Sequence, residues 1–162
     1  MEGVNHDIAF AQMCLETGFL RYGGDVKPGQ YNFCGLGATG GGEPGLSFPD
    51  PRIGVRAHIQ HLKAYGSTED LNNDLVDPRF HFVVRGRAPT IQGLTGTWAA
   101  DPRYSEKITA ILKRLYEFSF FVMKRDKKET SDFLITSLLC AFVPPCEMFW
   151  SQCCCPGRNQ QF

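Results

Sequence analysis

Three groupings of side chains in this sequence have the types and spacing to do chemistry. The first is Glu16, the carboxylate that ends the apolar segment "IAFAQMCLE" at residues 8–16. A carboxyl held among apolar side chains has its charged form disfavoured, so its pKa rises and it can donate a proton near neutral pH. The same residue also reads as a surface glutamate or as one paired inside a core. Gln12 lies one helical turn before it on the same face. The second grouping is "FCGLGATGGG" at 33–42, in which Gly35, Gly37 and Gly40 spell G-x-G-x-x-G, the pattern of dinucleotide phosphate loops. Such a loop needs a buried strand before it and a helix opening after it. Here "GGEPGLSFPDP" follows, which cannot start a helix, and no Lys-Ser/Thr completes a phosphate loop. No nucleotide is expected; the glycines permit a tight hairpin or let backbone approach a bulky ligand. The third grouping is His58 and His61, three apart, with Cys14 and Cys34 elsewhere. No third ligand accompanies the histidines, so no metal or cofactor is expected. Cys14 falls in mid-helix and Cys34 lacks a helix N-terminus, which argues against a thiol nucleophile.

These residues need elements to position them. "NHDIAFAQMCLETG" reads as a helix with Asn5 as N-cap, Asp7 in its first turn and Gly18 as terminator. It is apolar nearly all round, so it should be buried. From Phe19 to Pro51 the composition turns to Gly, Pro, Asn and Asp with scattered aromatics, which predicts loop and short hairpin. "RIGVRAHIQHLKAYG" resumes helical spacing, with Val55, Ile59 and Leu62 as its apolar stripe and Gly66 as its end. "LTGTWAADPRYSEKITAILKRLYEF" closes the domain: Asp101 caps, Pro102 opens the helix, and Tyr104, Ile108, Ile111, Leu112 and Leu115 form the buried face. Asp-Pro-Arg recurs at 50–52, 77–79 and 101–103, but its flanks and spacings differ. It marks helix or turn starts, not a repeat.

Basic and acidic side chains number 17 each, and within residues 1–118 they number 12 and 13. Neutrality is therefore not the average of two charged halves, and no nucleic-acid partner is expected. One domain is predicted over 1–120. Residues 121–162 read as a tail outside it: a charged linker, then "FLITSLLCAFV", then Cys146, Cys153, Cys154 and Cys155. That apolar run is far short of the ~20 residues a membrane helix needs. The cysteines lack the flanking pair or histidine of a zinc site. Met1 is followed by "EGVNHD", so no signal peptide is read.

"AFAQMCLETGFLRYGG" resembles the catalytic helix of bacterial N-acetylglucosaminidases, glycoside hydrolase family 73, within the lysozyme and lytic-transglycosylase superfamily. "YNFCGLGATG" is similar to that family's Asn-(Leu/Phe)-x-Gly-(Ile/Leu) segment. "TWAADPRYSEKI" resembles its Tyr-Ala-Thr-Asp-Pro-x-Tyr segment, with Trp98 at the first aromatic position and Ala100 where Thr is usual. The resemblance implies a mainly α (α+β) lysozyme-like fold: a helical lobe carrying Glu16, a small Gly-rich loop or hairpin lobe, and a glycan cleft between them. It also implies a further helix before the catalytic one. Glu16 is then the general acid of an endo-β-N-acetylglucosaminidase that cleaves the β-1,4 bond after N-acetylglucosamine in peptidoglycan. Glycosidases commonly pair the acid with a second carboxylate; Glu43 ranks first, ahead of Asp50 and Asp25, and the substrate's acetamido group is the alternative. Gln12, Tyr31, Asn32, Phe33, Trp98 and Tyr104 are the candidates for substrate binding. Core packing is the competing role for the aromatics, and loop bracing for Asn32. The expectation is a monomer acting on glycan strands in the cell envelope or outside the cell. Other classes are a glycan-binding module without catalysis and a lytic transglycosylase.

Overall fold

Asn5 starts the first helix as the sequence predicts: its Oδ1 accepts from the backbone N–H of Asp7 at 2.9 Å and of Ile8 at 3.1 Å. In the computed structural model, which describes residues 2–125, four helices follow in order: α1 (His6–Glu16), α2 (Pro51–Gly66), the short α3 (Ile91–Leu94) and α4 (Tyr104–Arg125). The recurring Asp-Pro-Arg triplets all begin turns or helices. Asp50 accepts from Ile53 N–H to cap α2, Asp77 accepts from Arg79 N–H ahead of a 3-10 turn at Phe80–Phe82, and Asp101 accepts from Arg103 N–H ahead of α4. The buried face of α4 is Tyr104, Ile108, Ile111, Leu112 and Leu115, matching the predicted stripe. It packs on α1 and α3. The pair α1 and α4 runs antiparallel, with Tyr116 donating to Asp7 at one end and Tyr104 donating to Glu16 at the other. Burial of each large apolar side chain along this seam is worth about 1.5–3 kcal/mol, which holds Glu16 against the start of α4.

The stripe predicted for α2 is only partly right. Leu62 is buried, but Val55 and Ile59 are half-exposed, and the deeply buried positions are Gly54, Ala57, His58, Gln60, His61, Lys63 and Ala64. The reason is that α2 serves as a polar spine for chain that has little structure of its own. Gln60 accepts from Val76 N–H at 2.8 Å and donates to Asp74 O at 3.0 Å. The buried Glu2 carboxylate accepts from Asn72 N–H at 2.7 Å, from Asn73 at 3.0 Å and from Gln60 at 3.3 Å. Burial opposes its ionisation, but these donors outweigh that and hold its carboxyl below the ordinary range. Buried polar groups are tolerated where they are bonded, so a helix can bury amides and imidazoles without an apolar stripe.

The hairpin expected between Phe19 and Pro51 is absent; among the described residues there are no strands, only isolated bridges such as Gly40 with Glu43. The segment is instead a loop lobe braced by side-chain amides. Asn32 donates to Leu36 O at 2.9 Å and Leu46 O at 3.0 Å and accepts from Leu36 N–H at 2.9 Å. Gln30 donates to Pro44 O at 2.7 Å. Backbone groups satisfied by side chains have no need of a strand ladder. Two hydrophobic clusters result. The larger lies among the helices, and a smaller one of Cys34, Leu36, Phe48 and Ala57 lies under the loop lobe. Trp98 packs against both. Helix α4 runs on through residues 121–125, the first five positions of the predicted tail; the rest of that tail, with its five cysteines, lies outside the described residues.

Candidate active site

Glu16 is the last residue of α1, half-buried where the two clusters meet. One of its oxygens, Oε1, accepts two hydrogen bonds: from Trp98 Nε1 at 3.0 Å and from the Tyr104 hydroxyl. The other, Oε2, faces the glycine-rich loop, where a Cβ built on Gly35 would stand 3.9 Å from it. Gly35 has φ +71°, a left-handed conformation that favours glycine, so the loop turns here with bare backbone beside the carboxyl. Burial raises the Glu16 pKa, and the bonds from Tyr104 and Trp98 oppose that without cancelling it. The carboxyl is thus poised to hold a proton above the usual carboxylate range.

Behind each donor stands a further layer of contacts. The Tyr104 hydroxyl accepts from Gln12 Nε2 at 2.9 Å, and Gln12 Oε1 lies 2.9 Å from His58 Nε2. Burial, then the neighbouring Glu16, push the Tyr104 phenol well above its ordinary pKa, so it stays a donor. The Trp98 indole sits in a ring of aromatics, edge-on to His61 at 5.2 Å and tilted on Tyr65 at 5.1 Å between centroids. His61 Nδ1 in turn lies 2.7 Å from Asp77 Oδ2 in a buried pair. Helices α1, α2 and α4, the loop lobe and the turn at 97–99 all converge on this point.

The structure brings together Glu16, Gln12, Trp98 and Tyr104 among the residues singled out from sequence. Gln12 and Asn32 are enclosed, with their amides bonded to protein partners. Tyr31 and Phe33 are half-buried on the loop lobe; the Tyr31 carbonyl and the Phe33 ring edge lie against Gly54 of α2. Glu43 is exposed in the turn that begins at Gly40, Asp50 is exposed as the α2 cap, and Asp25 is half-buried. None of these three carboxylates is bonded to Glu16. Sequence reasoning misses His58 and His61 as parts of the site. Their signal is two imidazoles and Gln60 within one turn of a helix that must pack on the core. Among the described residues no cluster of three or more His, Cys, Asp or Glu is placed to share a metal. Burial drives the Cys14 thiol up to about 11 and holds the Cys34 thiol well above its ordinary value, so both stay protonated. Among the same residues no helix is long and apolar enough to cross a membrane.

A family model described as mannosyl-glycoprotein endo-beta-N-acetylglucosaminidase matches residues 1–117. An uncharacterized protein of Borreliella burgdorferi (strain ATCC 35210) is 51% identical over 119 residues, covering 74% of this chain and 58% of that protein. The chain therefore spans little more than half the length of that relative. No solved structure matches it.

Proposed function

Because this chain belongs to the mannosyl-glycoprotein endo-beta-N-acetylglucosaminidase family, we propose that it is a glycoside hydrolase with Glu16 as general acid. The observation that carries this reading is the Glu16 carboxyl itself: raised in pKa by burial, braced at Oε1 by Trp98 and Tyr104, and with Oε2 turned towards Gly35 of the loop lobe. A proton on Oε2 is available to the leaving oxygen of a glycosidic bond, the step that general acid catalysis accelerates by about 10²–10⁴-fold. In a lysozyme-like arrangement the sugar chain lies between the helical lobe and the loop lobe. Tyr31, Phe33 and Trp98, each half-buried, are the aromatic side chains assigned to stack on sugar rings there.

The substrate we assign is peptidoglycan, cut at the β-1,4 bond after N-acetylglucosamine by a monomeric enzyme in the cell envelope or outside the cell. Glu43 is the carboxylate assigned to activate water, since its loop begins beside Glu16 at Gly35; if Glu43→Gln stays active, the substrate's acetamido oxygen is instead the internal nucleophile that attacks the anomeric carbon as the leaving oxygen takes the Glu16 proton. The experiment is digestion of purified peptidoglycan by the full chain, read by mass spectrometry. New reducing N-acetylglucosamine ends, absent with Glu16→Gln, are expected. Ends in 1,6-anhydromuramic acid would make the protein a lytic transglycosylase. Binding without any cleavage would make it a glycan-binding module. Cleavage of a high-mannose glycoprotein in place of peptidoglycan would overturn the substrate assignment while leaving Glu16 as acid.

A further inference from the structure

We infer that His58, acting through Gln12, sets the direction of the hydrogen-bond chain to Glu16 and so places the transferable proton on Oε2. The inference rests on Glu16 being the general acid. Two directions fit the same heavy-atom positions. In one, His58 donates from Nε2 to Gln12 Oε1, Gln12 donates from Nε2 to the Tyr104 oxygen, and Tyr104 donates to Glu16 Oε1. In the other, the Gln12 amide is turned over and every bond reverses. Glu16 then donates from Oε1 to Tyr104, Tyr104 donates to the Gln12 carbonyl oxygen, and Gln12 donates to a bare His58 Nε2. The His58 proton would then sit on Nδ1.

His58 decides between them. Its ring is fully buried, and its Nδ1 has no hydrogen-bond partner among the described residues. An N–H with no acceptor in a buried place is rarer than an unmatched acceptor lone pair, because the donor's whole desolvation cost goes uncompensated. The proton therefore sits on Nε2, and Nδ1 keeps the lone pair. Burial, with His61 next to it, holds the His58 pKa at about 3, so a neutral ring has one proton to place. The groups around it are His61 on its own helix, Gln12 from α1 and the Trp98 indole; those around Glu16 are Tyr104 from α4, Trp98, and the Cys34 thiol from the loop lobe.

With the chain running towards Glu16, Oε1 receives both the Tyr104 O–H and the Trp98 N–H. Two donors leave Oε1 no room for a proton of its own, so a protonated Glu16 carries its hydrogen on Oε2. The reversed chain would put that hydrogen on Oε1, bonded to Tyr104 and turned away from the loop lobe. His58 and Gln12 are thus positioning residues. Neither needs to touch the substrate, and neither is within reach of solvent.

Nitrogen-15 spectra of the histidine rings in the full labelled chain separate the two directions without any turnover. The expected result is a His58 ring that does not titrate between about pH 5 and 8 and is protonated on Nε2, identified by its loss in His58→Gln or, if that variant does not fold, by backbone correlations. A His58 ring protonated on Nδ1 overturns the inference. Turnover supplies the second arm. His58→Leu frees the Gln12 amide to turn over and take the Tyr104 hydrogen bond away from Glu16. That raises the Glu16 pKa, so the alkaline limb of kcat/KM moves to higher pH while kcat falls by about 10- to 100-fold. His58→Gln keeps an N–H at similar reach and retains a larger share of kcat with less movement of the limb. Equal losses in both variants with an unmoved limb would reduce His58 to a packing residue and overturn the inference. Turnover by Glu16→Gln would sink the general acid while leaving the tautomer result standing, so the two failures are distinguishable.

Discussion

At the scale of single residues, Glu16 is governed by a contest between burial and two donors, and each side can be removed. Trp98→Phe keeps the ring between the two clusters but deletes the N–H that reaches Oε1. A donor to the ionised carboxylate lowers its pKa, so its loss raises it, and the alkaline limb of kcat/KM is expected to shift to higher pH. An unmoved limb would mean that this bond does not tune the acid. Glu16 also carries a stability signature. Its folded pKa lies above the unfolded value, so its full contribution is present below the unfolded pKa and is lost as pH rises through the folded one. Glu16→Gln, which has no charge to bury, is expected to melt above the native chain at pH near 8, the gap closing towards roughly pH 4. Thermal melts at the two pH values check it, and a gap independent of pH would contradict the linkage.

At the scale of elements, what matters is how closely two pieces approach. Gly54 on α2 lies so near the loop lobe that a Cβ there would fall 1.8 Å from the Tyr31 carbonyl oxygen. Gly54→Ala must therefore push α2 off the loop carrying Gly35 and Glu43, at a cost of about 1–3 kcal/mol or more. Urea unfolding should show it, and kcat should fall as well if this contact sets the width of the proposed cleft. Ile108 of α4 is fully buried in the helical cluster, and Ile108→Ala is expected to cost about 2–5 kcal/mol. A loss under about 1 kcal/mol would mean that the α1–α4 seam is not what holds Glu16 against Tyr104.

At the scale of the whole molecule, the helical core and the loop-lobe core are joined at Trp98, so the same side chain that bonds the acid also ties the two walls of the proposed cleft together. The last buried position of α4 among the described residues is Leu115, close to the end of the family match at 117. A chain ending after Arg125 is expected to keep its melting temperature and its hydrolysis. It should also stay more soluble without the clustered cysteines and "FLITSLLCAFV". Failure of that chain to fold would make the remaining residues structural.

Local rules make part of this molecule legible from residue order alone. Asn5 and Asp50 cap helices, and Asp101 bonds the turn at 102–103 that precedes α4 in place of the cap with Pro102 as first helical residue that the sequence suggests; such bonds to donors two or three residues on need no distant partner. The α4 stripe is readable because a single apolar face packs on a single surface. Three short motifs in order suffice to bring out the family. Contacts across the chain decide the rest. Gln12 meets Tyr104 across 92 positions and His58 across 46, and Trp98 meets Glu16 across 82. Periodicity is blind to such pairs, because it reports which face of an element is apolar and not what stands opposite. For the same reason α2 misleads: its buried face is polar, and a polar face is read as solvated until the partners that satisfy it are in place. The loop lobe misleads too, since glycine and proline announce a turn but not whether strands or side-chain amides will bond its backbone. Residue order alone names the candidate acid; only the tertiary structure decides which of its oxygens takes the two donors and which faces the loop lobe.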